Sequence, residues 1–384
     1  MRILMISGLD ADHFYGQSTR PYYLNKILSA NGAKILHICP RPPKEAIAHT
    51  SFVTFRTRPV PFRIPTACRI FICSCIFRAD VLYVHQPGWM KLIGIPLARL
   101  LNRPLVFDIH GSDFQELEET GRIGITRLRE LEEIEAASLR AADRVIVVSP
   151  ELGHFLQTRF MVSEDRISLV ANGVDLSQYE PNMIGEKTRR LRESLRIPHG
   201  NRVVTFTCPR IERFLSNEIA LEWFFEVVRI LDSRRDDLTI LILGGGKIVP
   251  PRSSSVLYTG FVEDLPTVLA LSDVLVLPYP RNAICGGVRN KALEYFAAGK
   301  PVVSTTEGIR GIQEAVAGRD YLLADTHEEF AEKILDAISD ETLSRKIGSS
   351  ALALVKRYDW SVMGTRIHKI LHEEIRKWRT DENH

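Results

Sequence analysis

The sequence has few of the features that mark secreted or membrane-spanning proteins. Its six cysteines form no Cys-x-x-Cys pair, and none has a histidine at the spacing of a zinc site. We therefore expect free thiols in a reducing compartment. The first residues reach polar Asp10 and Asp12 at once and lack the pattern of a signal peptide. Since no stretch approaches the roughly 20 apolar residues of a membrane span, the expected location is the cytoplasm.

The chain also has little net charge. Lys and Arg number 50 against 47 Asp and Glu, which leaves a formal net charge of +3. A protein that binds the nucleic-acid backbone is expected to present a strongly basic face, so this balance argues against a nucleic-acid partner. The composition is that of a globular protein, and 384 residues are enough for roughly two to three domains.

The sequence alternates short apolar runs with longer segments that can form helices. In the first half the runs lie at residues 3–6, 34–38, 81–85, 105–109 and 144–148. In the second half they lie at residues 202–207, 238–243, 256–258, 274–277 and 301–304. Such alternation predicts parallel sheets that are covered by helices on both faces. The predicted fold class is α/β, with two doubly wound domains.

A polar stretch separates the two series of strands. After Asn172-Gly173 come Pro181, the charge cluster at 187–192 and a Pro-His-Gly sequence at 198–200, and we predict the interdomain linker here. The predicted domains are residues 1–178 and 179–357, and residues 358–384 form a last helix. Its apolar side chains mostly recur at spacings of three and four: Met363, Ile367, Ile370, Leu371, Ile375 and Trp378. This stripe must be buried against one of the two domains.

Residues 284–305, ICGGVRNKALEYFAAGKPVVST, form the most informative segment. A glycine turn at Gly286 and Gly287 precedes a helix that we predict to begin near Asn290 and to end at Gly299 and Pro301. A helix N-terminus behind a glycine turn offers backbone N–H groups and the positive end of the helix dipole to a phosphate. The segment therefore predicts a phosphate-binding turn.

Three side chains at this helix start support the same interpretation. Arg289 and Lys291 would add positive charge beside the phosphate. Glu294, one turn inside the helix, would accept hydrogen bonds from both hydroxyls of a ribose diol. Each piece alone has a structural alternative, namely a glycine at a helix end, a solvated lysine and a glutamate paired with it. The whole string in this order is much rarer by chance.

Residues 291–303, KALEYFAAGKPVV, resemble the donor-site signature of the family 4 glycosyltransferases with the GT-B fold. Further segments match the family in the same order: FDIHGSD at 107–113, ADRVIVVS at 142–149, NGVD at 172–175, TGFV at 259–262 and LSD at 271–273. The resemblance covers nearly the whole chain. It implies two Rossmann-like domains that face each other across a cleft, with the C-terminal helix crossing back to the N-terminal domain.

The resemblance also implies site residues. The catalytic set is His110, Arg210 and Lys291, and the donor-binding set is Gly16, Arg213, Val262, Gly286, Gly287, Arg289, Asn290 and Glu294. His110 follows an apolar strand, at the edge where open α/β sheets bind ligands, although a histidine there can also fix a loop. Arg213 stands where the family has a lysine, and a surface pair with Glu212 or Glu218 is the alternative. No metal ligands are expected.

The chain departs from the family pattern at two further places. The family signature has a glutamate eight residues before Glu294, where this chain has Gly286, and no Asp or Glu lies between Asp273 and Glu294. The backbone amides of Gly286 and Gly287 are the expected substitutes. Near Gly16 only one glycine remains of a Gly-Gly loop, so a plain strand-to-helix loop is an equally good interpretation.

One stretch of the first domain is basic and apolar. Between Ala46 and Ala79 the sequence has no acidic residue, and five arginines alternate with phenylalanines and isoleucines: Arg56, Arg58, Arg63, Arg69 and Arg78. Peripheral contact with an anionic membrane, on its inner face, is one interpretation. A solvated helix edge is the other, because Pro59, Pro61 and Pro65 interrupt any continuous helix there.

The resemblance implies a retaining glycosyltransferase of the hexosyl type. Such an enzyme moves a sugar from a nucleoside diphosphate sugar to an acceptor hydroxyl, without a metal or another cofactor. The expected acceptor is a saccharide, a lipid-linked saccharide or a small molecule, in the synthesis of surface polysaccharide or glycolipid. The alternative is a non-catalytic nucleotide-sugar-binding or scaffold protein of the same fold, since decay of a site would also remove the first glutamate. A nucleotide-sugar epimerase would need acidic and histidine residues that the sequence does not bring together.

Overall fold

The computed structural model describes residues 1–8, 16–55, 64–85, 90–120, 123–179, 185–209, 215–244, 253, 255–283 and 287–381. The chain divides into two compact units. Unit 1 comprises Met1–Gly173, Gly286–Val288 and Trp360–His384, and unit 2 comprises Val174–Cys285 and Arg289–Asp359. Within the described residues, no helix combines the length and the apolar character needed to cross a bilayer.

Unit 1 is built on a parallel sheet of seven strands in the order β3-β2-β1-β4-β5-β6-β7. The strands are β1 Arg2–Ser7, β2 Lys34–Cys39, β3 Thr50–Thr54, β4 Val81–His85, β5 Leu105–Ile109, β6 Arg144–Val147 and β7 Ile167–Leu169. The helices are α1 Gly16–Ala30, α2 Ile64–Phe77, α3 Met90–Leu101, α4 Asp113–Thr120, α5 Ile125–Ala141, α6 Pro150–Phe160 and, at the C-terminus, α13 Trp360–Asp381.

The apolar runs became strands because both faces of the sheet are covered. Along β1, Leu4 and Ile6 pack into the hydrophobic cluster on one face, and Ile3 and Met5 pack into the cluster on the other. Side chains of a strand alternate between the two faces, so a continuous apolar run is required where helices cover both. The predicted doubly wound parallel sheet is confirmed.

The last helix, α13, packs against α1 in unit 1. The stripe predicted from the sequence faces the cluster, with Met363, Ile367 and Leu371 almost fully buried. The ring of Trp360 stacks on the ring of Tyr23 of α1, with 5.4 Å between the ring centroids. The prediction that the C-terminal helix returns to the N-terminal domain is therefore confirmed.

Unit 2 has a parallel sheet of six strands in the order β10-β9-β8-β11-β12-β13. The strands are β8 Arg202–Thr207, β9 Leu238–Leu243, β10 Val256–Gly260, β11 Val274–Leu277, β12 Val302–Ser304 and β13 Leu322–Leu323. The helices are α7 Gly185–Ser194, α8 Leu215–Arg234, α9 Leu265–Leu271, α10 Asn290–Ala297, α11 His327–Ser339 and α12 Glu341–Val355. Gly299, at φ 65°, ends the turn after α10, as the sequence predicts.

Two local predictions were wrong. The charge cluster predicted as part of a linker forms α7, which packs against α9 while Leu191 and Leu195 contact the hydrophobic cluster of unit 2. The basic stretch contains a continuous helix, α2, because Pro65 occupies its first turn, where a missing backbone N–H costs little. Arg56, Arg58 and Arg63 of that stretch lie outside the described residues.

Candidate functional site

His110 lies directly after β5, at the carboxyl edge of the sheet in unit 1. The neighbouring strand β4 ends at His85, and the register pairs His85 with Asp108. As a result the Nε2 atom of His110 lies 3.5 Å from Nδ1 of His85 and 3.7 Å from Oδ1 of Asp108. The strand order thus brings two histidines and one carboxylate together at the predicted position.

Asp108 is fully buried and forms an ion pair. The Nε atom of Arg20, on α1, donates to both carboxylate oxygens at 3.0 Å, and the hydroxyl of Tyr83 donates to Oδ2. Burial alone would raise the pKa of Asp108. The charge and the hydrogen bonds of the Arg20 guanidinium outweigh the burial and hold that pKa below its ordinary value. Asp108 is therefore an anion at neutral pH, surrounded by donors.

The same three groups are the candidate ligands for a metal. His85, Asp108 and His110 place one ligand atom each within 4.8 Å of one another. Both oxygens of Asp108 already accept hydrogen bonds from Arg20. A buried guanidinium beside the carboxylate repels a second cation, so this donor set fits an ion-pair core better than a metal centre.

Burial keeps the histidines of this edge neutral. It lowers the pKa of His110 to about 4 and that of His85 well below its ordinary value, although Asp108 opposes both shifts. It also lowers the pKa of His37, on β2, to about 3. The ring of His37 forms hydrogen bonds of 3.0 Å with Ser7 and with Asn25. Neutral rings can donate through one nitrogen and accept through the other.

We expect unit 1 to lose stability in weak acid. The unfolded chain binds a proton at each histidine below about pH 6.5, while the folded state does not, so stability falls with falling pH. Between about pH 7 and about pH 5.5 the loss is about 1 kcal/mol for each buried histidine. Urea unfolding followed by circular dichroism measures it. His37→Gln should make the free energy of unfolding less dependent on pH. His154→Gln, at an exposed position, should leave this dependence unchanged. The same pH dependence in both variants would contradict the role of His37.

Lys291 lies in the first turn of α10, at the carboxyl end of β8 in unit 2. Its Nζ atom donates to the carbonyl oxygen of Thr207 at 2.7 Å, to Oδ1 of Asn217 at 3.4 Å and to the hydroxyl of Tyr279. None of these three acceptors carries a charge. The contacts fix the position of the ammonium group and keep its charge at the edge of the sheet, beside the N-terminus of α10.

No sequence pattern points to the residues that position Lys291. Asn217, at the start of α8, accepts from the hydroxyl of Tyr279 at 2.7 Å and donates to the carbonyl oxygen of Pro209 at 2.7 Å. The hydroxyl of Tyr295 lies 2.8 Å from the backbone nitrogen of Thr207, which donates to it. Tyr295 stands inside the recognised motif, but nothing in the sequence pairs it with β8. Asn217 carries no sequence signal.

Arg289 is buried, and its guanidinium is engaged by the protein. Nη1 donates to the carbonyl oxygen of Glu307 at 2.7 Å and to its carboxylate at 3.1 Å, and Nη2 donates to the carbonyl oxygen of Ala283. The guanidinium also stacks on the ring of Tyr279, with 4.0 Å between its carbon and the ring centroid. Arg289 therefore links the segment at Ala283 to the segment at Glu307. The next residue, Asn290, is the first residue of α10.

Glu294 lies one turn inside α10 and is partly buried. Burial raises the pKa of its carboxyl group, and the charge of Lys291 opposes the shift. Among the described residues, no protein donor forms a hydrogen bond with this carboxylate. Val262, after β10, packs its side chain against a hydrophobic cluster of unit 2.

The remaining predicted site residues differ in where the structure places them. Gly16 is the first residue of α1. Gly287 belongs to unit 1. A Cβ atom at this position would lie 2.0 Å from the carbonyl oxygen of His110, so only glycine fits there. Arg210, Arg213 and Gly286 lie outside the described residues.

The sequence is similar to known glycosyltransferases along most of its length. The profile described as Glycosyltransferase Family 4 matches residues 15–178, and the profile described as Glycosyl transferases group 1 matches residues 202–340. The chain is 23% identical to the D-inositol 3-phosphate glycosyltransferase of Corynebacterium glutamicum (strain R), in an alignment that covers 97% of this chain and 90% of the relative.

Two solved structures share the fold. The sucrose-phosphate synthase of Thermosynechococcus elongatus superposes with a TM-score of 0.75 and 16% identity, covering 97% of this chain and 99% of that chain. Alr3699/HepE of Anabaena, solved in complex with UDP, superposes with a TM-score of 0.70 and 18% identity, covering 97% of this chain and 100% of that chain. With the two profiles matching most of its length, the chain belongs to the group 1, family 4 glycosyltransferases and has the GT-B fold.

Proposed function

We propose that the protein is a retaining hexosyltransferase that uses a nucleoside diphosphate sugar as donor. The observation that carries the proposal is the position of Lys291, which neutral acceptors hold at the start of α10. A fixed cation beside a helix N-terminus suits the charge that develops on a departing diphosphate. Glu294, one turn further along α10, supplies the carboxylate for the ribose of the same nucleotide.

The residues take separate roles in the proposed transfer. Lys291, Arg210 and the backbone N–H groups near Asn290 stabilise the diphosphate as its bond to the sugar breaks. The leaving phosphate accepts the proton of the acceptor hydroxyl, which attacks from the same face, so the configuration at the anomeric carbon is retained. His110 contacts the transferred sugar, and the backbone at Val262 contacts the base. Because the protein itself supplies the positive charge, we propose that the reaction proceeds without a metal.

The donor and acceptor classes rest on relatives. UDP is bound in the Anabaena structure, which makes UDP-sugars the first donors to test. We propose that the acceptor is a saccharide or a lipid-linked saccharide, in the synthesis of surface polysaccharide or glycolipid. Contact of the protein with an anionic membrane would bring it to a lipid-linked acceptor.

A non-catalytic nucleotide-sugar-binding protein of the same fold is the second candidate. One specific observation favours it: Gly286 occupies the position of the first glutamate of the family signature. Such a protein would bind a nucleotide sugar through Lys291 and Glu294 but would release no nucleoside diphosphate. Product release therefore separates the two candidates.

Glu294→Gln should weaken nucleotide-sugar binding by about 10- to 100-fold, because the ribose hydroxyls lose a charged acceptor. The measurement is a thermal-shift titration with UDP-, GDP-, dTDP- and ADP-sugars, since a ligand that binds the folded state raises its apparent stability. Glu332→Gln, an exposed glutamate of unit 2, is the matched control and should bind like the wild type.

The titration, combined with an assay of nucleoside diphosphate release, decides between the candidates. A shift with one nucleotide class that Glu294→Gln loses, followed by release of the nucleoside diphosphate in the presence of a lipid extract, supports the transferase. The same shift without release supports the binding protein. Equal shifts in the wild type and in Glu294→Gln would remove Glu294 from the donor site.

A further inference from the structure

Helix α2, Ile64–Phe77, lies on the surface of unit 1 with one side in the core. Ile70 and Ser74 are buried, and Cys73 and Phe77 pack against the hydrophobic cluster below the helix. These four residues fall on one side because side chains three and four positions apart share a helix face. The opposite side of α2 therefore faces outward.

This outward face is apolar. Cys68, Phe71, Ile72, Cys75 and Ile76 occupy it at spacings of three and four, and Phe71, Ile72 and Ile76 are 45%, 53% and 73% exposed. A surface helix of a globular protein ordinarily carries charged and polar residues on this side. A contiguous row of exposed apolar side chains is typical of an interaction surface.

Positive charge borders the outward face. Arg69 lies on the helix beside Ile72, and Arg78 follows the last turn; both are exposed. The sequence has no acidic residue between Ala46 and Ala79. The first carboxylate after the helix, Asp80, is already bound, since it accepts from the backbone nitrogen of Arg2 and from the guanidinium of Arg379.

We propose that the outward face of α2 docks on an anionic lipid bilayer. An interfacial helix places apolar side chains among the acyl chains and basic side chains at the phosphate level, which is the arrangement that Ile72, Ile76 and Arg69 present. The 14 residues of α2 extend for about 21 Å at 1.5 Å per residue, too short to span a bilayer, so the helix lies in the plane of the interface.

Charge complementarity favours a membrane over a second copy of the chain. Two copies joined through this face would bring Arg69 and Arg78 close to the same residues of the partner, with no acidic residue of the stretch to compensate them. An anionic bilayer compensates both arginines. The proposal concerns binding to lipid and is independent of donor use, so it can fail or hold whatever the transfer activity is.

Vesicle flotation of the full chain tests the proposal. The wild type should bind phosphatidylcholine vesicles that contain phosphatidylglycerol more tightly than vesicles of phosphatidylcholine alone, and added salt should weaken the binding. Ile72→Gln/Ile76→Gln should lower the partition coefficient by at least about 10-fold, because two apolar side chains no longer enter the interface. Arg69→Gln should lower it by about 5-fold.

Two control variants match these changes elsewhere on unit 1. Ile125→Gln replaces an isoleucine that is 63% exposed, and Arg129→Gln replaces an exposed arginine of α5. Both should bind vesicles like the wild type. Circular dichroism shows whether each variant is folded, which we expect because all the replaced side chains are exposed.

Three results would overturn the proposal. The first is a wild type that binds neither kind of vesicle. The second is binding that Ile72→Gln/Ile76→Gln and Ile125→Gln reduce equally. The third is a change of oligomeric state in the double variant, measured by light scattering, without a change in vesicle binding, which would make the outward face an interface between copies.

Discussion

We expect Lys291→Met to lower the rate of sugar transfer by about 10²–10³-fold and to change the KM for the donor much less. The methionine keeps the apolar stem and removes the ammonium charge, which matters most when negative charge develops on the diphosphate. The experiment measures nucleoside diphosphate release under saturating donor. A loss confined to KM would place Lys291 in ground-state binding, and an unchanged rate would remove it from the catalytic set.

Lys291 also stabilises the residues around it through its hydrogen bonds, so the variant needs a structural control. Removing Nζ leaves the carbonyl oxygen of Thr207 and the hydroxyl of Tyr279 without this donor. Lys291→Arg keeps the charge but displaces it, and should recover part of the rate. Lys333→Met, on the exposed side of α11, should retain full activity. If Lys291→Met lowers the unfolding temperature and the rate together, and Lys291→Arg restores the temperature but only part of the rate, catalysis requires the ammonium charge at its native position.

The sequence predicted where the candidate residues lie when their positions depend on one segment. Lys291 and Glu294 lie three positions apart on the short helix α10, and Gly299 follows the end of that helix. Their spacing in the sequence was enough to predict these positions. His110 was placed because a strand ends just before it. Local pattern carries this information, because helix periodicity and strand ends follow from the order of neighbouring residues.

The sequence did not predict partners that come from distant segments. Arg20 and Asp108 are 88 positions apart, and they meet because the side chain of Arg20 reaches from α1 to the carboxyl end of β5. His85 joins them only through the register of β4 with β5. An apolar pattern reports that a strand is buried, but not which strand lies next to it.

At two helices the charged residues do not take the roles that their sequence pattern predicts. The arginines and glutamates of α7 form pairs at spacings of three and four, such as Arg189 with Glu186 and Glu193, and only Leu191 and Leu195 reveal the buried side. Arg289 was expected to face a phosphate, yet in the structure its guanidinium binds Glu307 and Ala283. A charged side chain shows no direction in a sequence, so its partner has to be observed.

Arg20→Met should destabilise unit 1 by about 3–5 kcal/mol at neutral pH. Asp108 would remain buried and ionised without the guanidinium that now donates to both of its oxygens. The variant also loses the hydrogen bond from Arg20 to the carbonyl oxygen of Ala171. Urea unfolding followed by circular dichroism gives the free energy. Arg127→Met, which breaks an exposed pair with Glu130, should have little effect.

The pH dependence and a second substitution separate the charge from the packing of Arg20. In the wild type the pKa of Asp108 is held below its ordinary value, so the pair stabilises the fold at neutral pH and loses this contribution only in strong acid. Without Arg20, burial raises the pKa of Asp108, and the protonated carboxyl group can stay buried without a charged partner. The loss in the free energy of unfolding that Arg20→Met causes should therefore become smaller as the pH falls. Arg20→Met/Asp108→Asn removes both charges and should recover most of the stability at neutral pH. A double variant that is as unstable as Arg20→Met would mean that the packing of the arginine, and not its charge, holds this edge of the sheet together.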